Sequence, residues 1–296
     1  MRTILDPDAV RCYEAAGDIV KRARKAVKPY IKKDATLLEI AERIEDSITA
    51  DGGLPAFPCT TCVNEIASHY TPSKDDGRIL KTGDVLKLDL GASVEGYIAD
   101  TAFTIEVGTN SYAGLIDAGE KALAAGIGKI RPGIPVRDIG RAIDDSASHG
   151  GVLVLKDLLG HSLGRYRLHG GLTIPNYDDG SDLRIREGDV LAIEPFVTSG
   201  SGVILRANGG NIYQLIRKDE IYVHGPEEKK LLEYISGHYG NFPFASRWLP
   251  DEDALDGLIK AACVKSFPVM VEADGAPVAQ AESTVIVESD GCRVIT

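Results

Sequence analysis

The octapeptide GDVLKLDL at residues 83–90 returns in altered form as GDVLAIEP at residues 188–195, a spacing of 105. An earlier pair of segments matches in the same order: EIAERIEDS at 39–47 and DIGRAIDDS at 138–146, at a spacing of 99. Several ordered matches at nearly constant spacing indicate an internal duplication. The chain is therefore predicted to contain two structurally related halves.

Each half is predicted to consist of two helices followed by strands. Apolar residues at helical spacing predict helices over about 8–28, 36–51, 112–129 and 135–149. The predicted strands cover about 85–91 and 97–107, joined by a hairpin connection at 91–96, then 190–198 with a return strand near 203–207. Two such units related by a pseudo-twofold axis would form one curved antiparallel sheet backed by helices, an α+β fold.

The segment from about 211 to 270 repeats nothing and is predicted to be a helical insertion. Its helices are expected at about 226–239 and 251–265, and the last strands near 269–272, 283–288 and 292–296. Residues 1–296 are expected to form a single catalytic domain with this insertion inside it.

Composition limits the classes of function. The chain has 33 Lys and Arg against 44 Asp and Glu, a net charge of −11, which argues against a specific nucleic-acid ligand. No apolar run approaches the roughly 18 residues of a membrane span, so no membrane association is expected. Asp6, Pro7 and Asp8 stand where a signal peptide would be apolar, which predicts a cytoplasmic protein. The five cysteines are odd in number, and Cys59 and Cys62 lack a second C-x-x-C pair, which favours packing roles.

Acidic residues occupy equivalent places in the two repeats. Asp89 lies six residues after Gly83, and Glu194 lies six after Gly188, each among apolar neighbours. Asp100 lies on the predicted hairpin partner of the strand that carries Asp89, and Glu282 opens an apolar strand. Each acid alone has an ordinary explanation, an edge position or a salt bridge. Four together would repel one another unless cations neutralise them, and two divalent ions would balance the charge.

A second explanation for paired acids is proton sharing of the aspartic-protease kind, which needs only two carboxylates. The D-T-G frame of those enzymes is missing, and Asp100-Thr101-Ala102 is the nearest approach.

The six histidines divide into two groups. His149, His224 and His238 are predicted to be surface or capping residues. His161 and His169 are eight residues apart in a glycine-rich extended segment, so both are expected on the same side of the chain. His69 lies in the corresponding region of the first half. Neutral imidazole binds Zn, Mn, Fe or Co and also serves in proton transfer.

The segments NEIASHYTP, KLDLG, YIADTAF, GHSLGRYRLHGG, AIEPF and AQAESTVIV together resemble the methionine aminopeptidases. The resemblance is closest to their type 2 branch in its short, archaeal-like form, and AFP at 56–58 and HYTP at 69–72 are specific to that branch. It implies the pita-bread fold, whose internal pseudo-twofold agrees with the repeats.

The resemblance also implies a two-metal site with Co, Mn, Fe or Zn, whose identity stays open. The implied metal ligands are Asp89, Asp100, His161, Glu194 and Glu282, with Asp100 and Glu282 bridging the two ions. His69 and His169 are the implied substrate-contacting histidines. The implied pocket for the methionine side chain contains Phe57, Leu168, Phe196 and Phe267.

The implied activity is hydrolysis of the N-terminal methionine from nascent polypeptides by metal-activated hydroxide. Glu194 would accept the proton, His169 would stabilise the oxyanion, and His69 would contact or protonate the leaving nitrogen. A transient ribosome contact and a monomeric state are expected. The family has FEHT around its last ligand where this chain has Ala281-Glu282-Ser283-Thr284, which predicts changed surroundings of that ligand rather than its loss.

Two other readings compete with this one. An X-Pro dipeptidase or aminopeptidase P shares the fold and the five ligands but usually carries a separate N-terminal domain, for which Asp89 comes too early. A non-catalytic member of the fold could bind protein or RNA, but such members characteristically lose metal ligands, and all five residue types are present here.

Overall fold

A computed structural model describes residues 5–296. The helices are α1 (Pro7–Val27), α2 (Leu37–Ala50), α3 (Ala113–Ile127), α4 (Val136–His149), α5 (Pro226–His238) and α6 (Leu255–Lys260). Short 3-10 helices cover Lys28–Tyr30, Glu220–Tyr222 and Ser246–Trp248. The strands are β1 (Leu54–Pro55), β2 (Thr60–Val63), β3 (Ile66–Ser68), β4 (Val85–Val94), β5 (Tyr97–Glu106), β6 (Leu153–Val154), β7 (Gly160–Leu163), β8 (Thr173–Ile174), β9 (Val190–Ile193), β10 (Phe196–Thr198), β11 (Ile204–Ala207), β12 (Ile212–Leu215), β13 (Phe244–Ala245), β14 (Val264–Ser266), β15 (Val269–Glu272), β16 (Val278–Gln280), β17 (Ser283–Glu288) and β18 (Gly291–Val294).

The first half is built on the long β4–β5 hairpin. The two strands pair without interruption from Val85 opposite Glu106 to Val94 opposite Tyr97. The turn between them is only Glu95-Gly96, and both residues have positive φ angles, 52° and 86°. Two consecutive positive φ angles are typical of the tight turn that follows the strand twist. The strands therefore extend through most of the predicted connection at 91–96.

The second half has the same helices but a different route between its paired strands. β9 pairs with β17, and β10 pairs with β16, so the partner strands come from the C-terminal end of the chain. The predicted return strand near 203–207 was wrong as a partner of 190–198, because β11 pairs with β15 instead. Residues 199–277 stand where the first half has its two-residue turn. A prediction that pairs strands adjacent in sequence cannot foresee such an insertion.

The two GDV turns confirm the duplication at the level of single hydrogen bonds. Gly83 and Gly188 both adopt a φ of 89°, a left-handed conformation that favours glycine. The N–H of Gly83 donates to the carbonyl of Val107 at 2.8 Å, and that of Gly188 donates to Val287 at 2.9 Å. The two halves therefore share the same local geometry as well as the same sequence pattern.

Each half has its own apolar core between helices and strands. In the first half, α1 packs on β4 and β5, and α2 packs on α1, β1 and β2; the buried residues include Val20, Ile40 and Ile44. In the second half, α3 and α4 bury Ile139 and Ile143 against the strands around β9 and β10. α1 begins at Pro7, where Asp6 accepts a hydrogen bond from the N–H of Asp8 at 2.9 Å.

The insertion packs around a third apolar cluster, which includes Leu232, Ile235, Phe244 and Leu258. β12 lies between β13 and β14, and α6 packs against both α5 and β14. α6 ends at Lys260, earlier than the predicted 265, because the chain turns through Ala262, at a φ of 51°, into β14.

All five cysteines are free, and burial raises the pKa of the Cys59 and Cys62 thiols. Across residues 5–296, no helix has the length and hydropathy that crossing a bilayer requires.

Candidate metal centre and substrate pocket

Two of the predicted acids project from the β4–β5 hairpin. Asp89 lies opposite Ala102, and Asp100 lies opposite Gly91, which makes the two carboxylates diagonal neighbours on one face of the ladder. The uninterrupted pairing of these strands determines their separation. The first half thus contributes two carboxylates from a rigid element.

The other two acids lie where the second-half strands separate. The β9–β17 ladder and the β10–β16 ladder lie on either side of Glu194-Pro195 and Ala281-Glu282, which are not paired as strands. Pro195 has no N–H to donate, so a regular ladder cannot continue through it. The opening leaves Glu194 and Glu282 free to face the first half.

Threonine side chains join the two halves directly beside these acids. The Thr284 hydroxyl accepts from the N–H of Asp100 and donates to its carbonyl, each at 2.8 Å. The Thr101 hydroxyl donates to the carbonyl of Glu282 at 2.9 Å, and the N–H of Glu282 donates to the carbonyl of Ala102 at 3.1 Å. These bonds fix Asp100 relative to Glu282 across the pseudo-twofold axis.

His161, on β7, completes the cluster. Its Nε2 lies 3.4 Å from Oε1 of Glu194 and 3.8 Å from Oδ2 of Asp100. One ligand atom each from Asp100, His161 and Glu282 lie within 4.8 Å of one another. Such separations suit donors arranged around a shared cation.

The electrostatics of the cluster also favour cations. Burial, followed by repulsion from the neighbouring carboxylates, raises the pKa of Asp100, Glu194 and Glu282, and burial raises that of Asp89. Burial lowers the pKa of His161 to about 3, which keeps its imidazole neutral and able to bind a metal.

Two buried oxygens in the cluster have no hydrogen-bond partner, Oδ1 of Asp89 and Oδ1 of Asp100. An unpaired buried carboxylate oxygen is costly, and a divalent cation would satisfy it. A donor set of carboxylates with one imidazole fits Mn, Fe, Co or Zn.

Beside the carboxylates lies a cavity of about 320 Å³. All five predicted ligands line it, as do His69 and His169. Its apolar wall includes Phe57, Leu168, Ile212, Pro243 and Phe267. A flexible apolar side chain would therefore fit next to the metal centre.

The position of Phe57 depends on a glycine. A Cβ added to Gly91 would lie 2.4 Å from the Phe57 ring, well inside van der Waals contact. Gly91 is the hairpin residue directly opposite Asp100. The absence of a side chain there lets the ring approach the strand that holds the ligands.

Similar proteins identify the family of this chain. Residues 11–224 match metallopeptidase family M24. The methionine aminopeptidases of Thermococcus kodakarensis and Methanocaldococcus jannaschii are 42% and 41% identical to this chain, over 95% of its length and 97% and 96% of theirs. This chain belongs to the methionine aminopeptidase family.

Among solved structures, a methionine aminopeptidase from Thermotoga maritima superposes with a TM-score of 0.75 at 24% identity, covering 100% of this chain and 99% of that one. A thermophilic Arx1 superposes with a TM-score of 0.86 at 18% identity, covering 98% and 91%. Both likenesses place the chain in the pita-bread fold of this family.

The structure brings together nearly all of the residues that the methionine aminopeptidase resemblance named. Phe196 is the exception among the implied pocket residues. It is 1% exposed, packs in a core cluster with Ala67, Leu158 and Met270, and does not line the cavity. Ser283, at the position of the usual family histidine, pairs with Ile193 on β9 and also does not line the cavity.

Two contacting residues were missed by reading the sequence. Gln280 Nε2 lies 3.2 Å from Oδ2 of Asp89 and 3.3 Å from Oε2 of Glu282, and so donates to two ligands. Its spacing of two from Glu282 was a usable signal, since alternate residues of an extended chain share a face. Asn176 Nδ2 donates to the carbonyls of Glu194 and Leu158 at 3.0 and 2.8 Å, a long-range contact that no local pattern indicates.

Proposed function

We propose that this chain is a two-metal methionine aminopeptidase that removes the N-terminal methionine from nascent polypeptides. The observation that carries the proposal is the shared cavity, in which five metal-binding side chains lie beside an apolar pocket. Membership of the methionine aminopeptidase family and relatives of that name at about 40% identity support the same activity.

The proposed ligands are Asp89, Asp100, His161, Glu194 and Glu282. Divalent ions bound by them would lower the pKa of water to near neutrality and polarise the peptide carbonyl. We propose two ions because two divalent charges would balance those of the four carboxylates. Their identity among Co, Mn, Fe and Zn is also part of the proposal.

Glu194 is the proposed proton acceptor. Its carboxylate lines the cavity beside the other proposed ligands, where a water bound to the metal would also lie. The hydrogen bond from the Asn176 side chain to the carbonyl of Glu194 holds the Glu194 backbone in place. These properties suit a general base that gains a proton from water and passes it to the leaving amine.

His69 is proposed to contact the scissile amide as a hydrogen-bond acceptor. Its Nδ1 lies 3.1 Å from the carbonyl of Pro268, which only accepts, so Nδ1 must carry the proton. Burial, then the charges of His169 and Lys265, outweigh this hydrogen bond and lower the pKa of His69, which leaves Nε2 unprotonated. A neutral ring in this tautomer accepts from a peptide N–H rather than protonating it.

His169 also lines the cavity, next to the candidate ligand His161. Its ring centroid is 4.4 Å from that of His161, and its side chain is exposed at the cavity mouth. From there it could donate to the peptide carbonyl as negative charge develops on the oxygen. The methionine side chain would contact Phe57, Leu168 and Phe267, and its flexible thioether suits such a pocket.

The proposal is tested by metal analysis combined with peptide hydrolysis. The parent protein should bind about two equivalents of Mn or Co and release methionine from Met-Ala-Ser. Asp100→Asn should lose at least one equivalent and nearly all turnover. Glu39→Gln, a change at an exposed acid on α2, should retain both. Metal binding without hydrolysis would favour the non-catalytic alternative.

Substrate choice separates this activity from that of the related X-Pro enzymes. Faster hydrolysis of Ala-Pro than of Met-Ala-Ser would favour an X-Pro dipeptidase. The proposal includes a cytoplasmic location and transient contact with ribosomes, where nascent chains would be met, and a monomeric state. Size-exclusion chromatography and co-sedimentation with translating ribosomes test these last two expectations.

A further inference from the structure

A buried ion pair connects α2 with the insertion. Nη2 of Arg247, in the 3-10 helix Ser246–Trp248, donates to Oε1 of Glu45 on α2, and their side chains are 3% and 10% exposed. The indole Nε1 of Trp248 donates to Oε2 of the same carboxylate at 2.9 Å. Residues 202 positions apart in sequence are thus joined in the interior.

Both members of the pair also bind one wall of the substrate cavity. Oε1 of Glu45 accepts from the N–H of Cys59 at 3.0 Å. Nη1 of Arg247 donates to the Thr71 hydroxyl at 2.6 Å and to the carbonyl of Pro72 at 2.9 Å. The Thr71 hydroxyl in turn donates to the carbonyl of Cys59 at 2.7 Å. The ion pair therefore ties together the two ends of the segment 59–72.

The residues beside these contacts face the substrate. Phe57 and Thr60 flank Cys59, His69 lies two residues before Thr71, and all three line the cavity. His69 has a φ of 65°, a conformation that a non-glycine residue keeps only when its surroundings enforce it. The hydrogen bonds from Arg247 to Thr71 and Pro72 fix the backbone just after His69.

The insertion supports the same wall from its other end. The ring of Phe267 packs edge-on against His69 at 5.4 Å, and the N–H of Thr71 donates to the carbonyl of Gly210 at 3.1 Å. The position of the insertion and the position of His69 are therefore coupled. A shift of Arg247 would move the wall and the insertion relative to each other.

Stability alone is a poor explanation for this pair. Taking both charges out of water costs several kcal/mol, and apolar replacements of buried ion pairs are often neutral or stabilising. A charged pair also provides hydrogen bonds with defined directions, here to Cys59, Thr71 and Pro72.

We propose that Arg247 and Glu45 form a positioning pair that sets Phe57 and His69 relative to the metal centre and thereby maintains discrimination for methionine at the N-terminal position. This inference rests on the proposed aminopeptidase function. Separate threonine contacts hold Asp100 and Glu282, and Asp89, although it also pairs with Thr60, is held by the ten-residue pairing of β4 with β5. Loss of the ion pair should therefore leave metal binding unchanged.

The test compares Arg247→Met with the double variant Glu45→Gln/Arg247→Met, which removes both charges. For each, kcat/KM is measured on Met-Ala-Ser and Leu-Ala-Ser, together with the Mn affinity. Both variants should lose about tenfold or more of the Met-to-Leu preference, the scale expected when a substrate-positioning contact shifts. Metal affinity should not change. Arg43→Met, which removes an exposed ion pair with Glu39 on the same helix, is the matched control and should keep the preference.

Hydrogen exchange supplies a readout that does not depend on activity. Exchange in peptides covering 56–72 should rise in both variants, while exchange in peptides covering 89–104 should stay at the parent rate. If Arg247→Met does not fold, the double variant decides alone, because it leaves no unpaired buried charge.

Two results would overturn the proposal: an equal loss of turnover on both peptides, or recovery of the Met preference in the double variant. An inactive parent would refute the aminopeptidase function, and exchange at 56–72 would then decide separately whether the pair holds the wall.

Discussion

A single hydroxyl, that of Thr284, bonds to both backbone polar groups of Asp100, although 184 residues separate the two in sequence. Thr284 belongs to the second half of the duplicated chain and Asp100 to the first. The proposed metal centre therefore lies where the two halves meet, and the contact between the halves fixes the backbone of Asp100.

Thr284→Val is expected to weaken this contact. The change keeps the side-chain shape but leaves a buried N–H and C=O of Asp100 unpaired, which should lower the free energy of unfolding by about 1–3 kcal/mol. Metal affinity should fall by about tenfold or more, as for other partners that orient ligands. Thermal unfolding and Mn titration measure the two effects. Thr198→Val, a buried threonine bonded to the carbonyl of Pro277, should reduce stability without reducing metal affinity.

Gly91→Ala should disturb the apolar wall. The added methyl would lie 2.4 Å from the Phe57 ring, so the ring must move, at a cost of about 1–3 kcal/mol in unfolding free energy. The KM for Met-Ala-Ser should rise. Gly114→Ala on α3, where a Cβ meets nothing within 4 Å, should be neutral or stabilising. Unchanged stability and KM in Gly91→Ala would contradict the close packing.

Phe57 and Phe196 should respond differently to truncation. Phe57→Leu removes part of the cavity wall and should reduce the preference for methionine over leucine peptides. Phe196→Leu lies in the core and should cost about 1 kcal/mol or more of unfolding free energy while leaving that preference intact. Denaturant unfolding and kcat/KM measured on both peptides separate the two outcomes. A changed methionine preference in Phe196→Leu would show that Phe196 contributes to the pocket after all.

Removing divalent ions should destabilise the protein. Without cations the four carboxylates are buried together and repel one another, whereas Mn at 100 times its dissociation constant adds about 3 kcal/mol of stability. Chelation should therefore lower the melting temperature, and added Mn should restore it. In Glu282→Gln the response to Mn should shrink. An identical melting temperature with and without chelator would count against a metal centre here.

Asn176→Ala should lower turnover through the backbone of Glu194. The change leaves the carbonyls of Glu194 and Leu158 without their donor, which should cost about 1–3 kcal/mol of stability. Because Glu194 is the proposed base, kcat should fall more than KM changes. Gln214→Ala, which removes a half-buried side chain bonded to the carbonyl of Asn241 at the surface, is the control and should be near neutral.

Local patterns predicted the helices well because their burial follows a period that the sequence displays. Predicted bounds of 36–51 and 135–149 became Leu37–Ala50 and Val136–His149. Predictions failed where pairing is non-local. The return strand at 203–207 and the extent of α6 depend on contacts between distant segments, which spacing along the chain does not report.

The site divides in the same way. Which side chains could bind metal was evident from the sequence, since equivalent acids in two repeats mark equivalent strand positions. Other features were not evident from the sequence, because each depends on how separate elements pack. Phe196 lies behind the cavity, Asn176 and Gln280 bond to the candidate ligands, and Arg247 reaches Glu45.

The sequence by itself determined the duplicated halves, their helices and the chemical types in the proposed metal centre, because those follow from residue identity and short periods. Only the tertiary structure decided which of these residues meet, since contacts such as that between Thr284 and Asp100 arise from sheet register and from a 79-residue detour, 199–277, between paired strands.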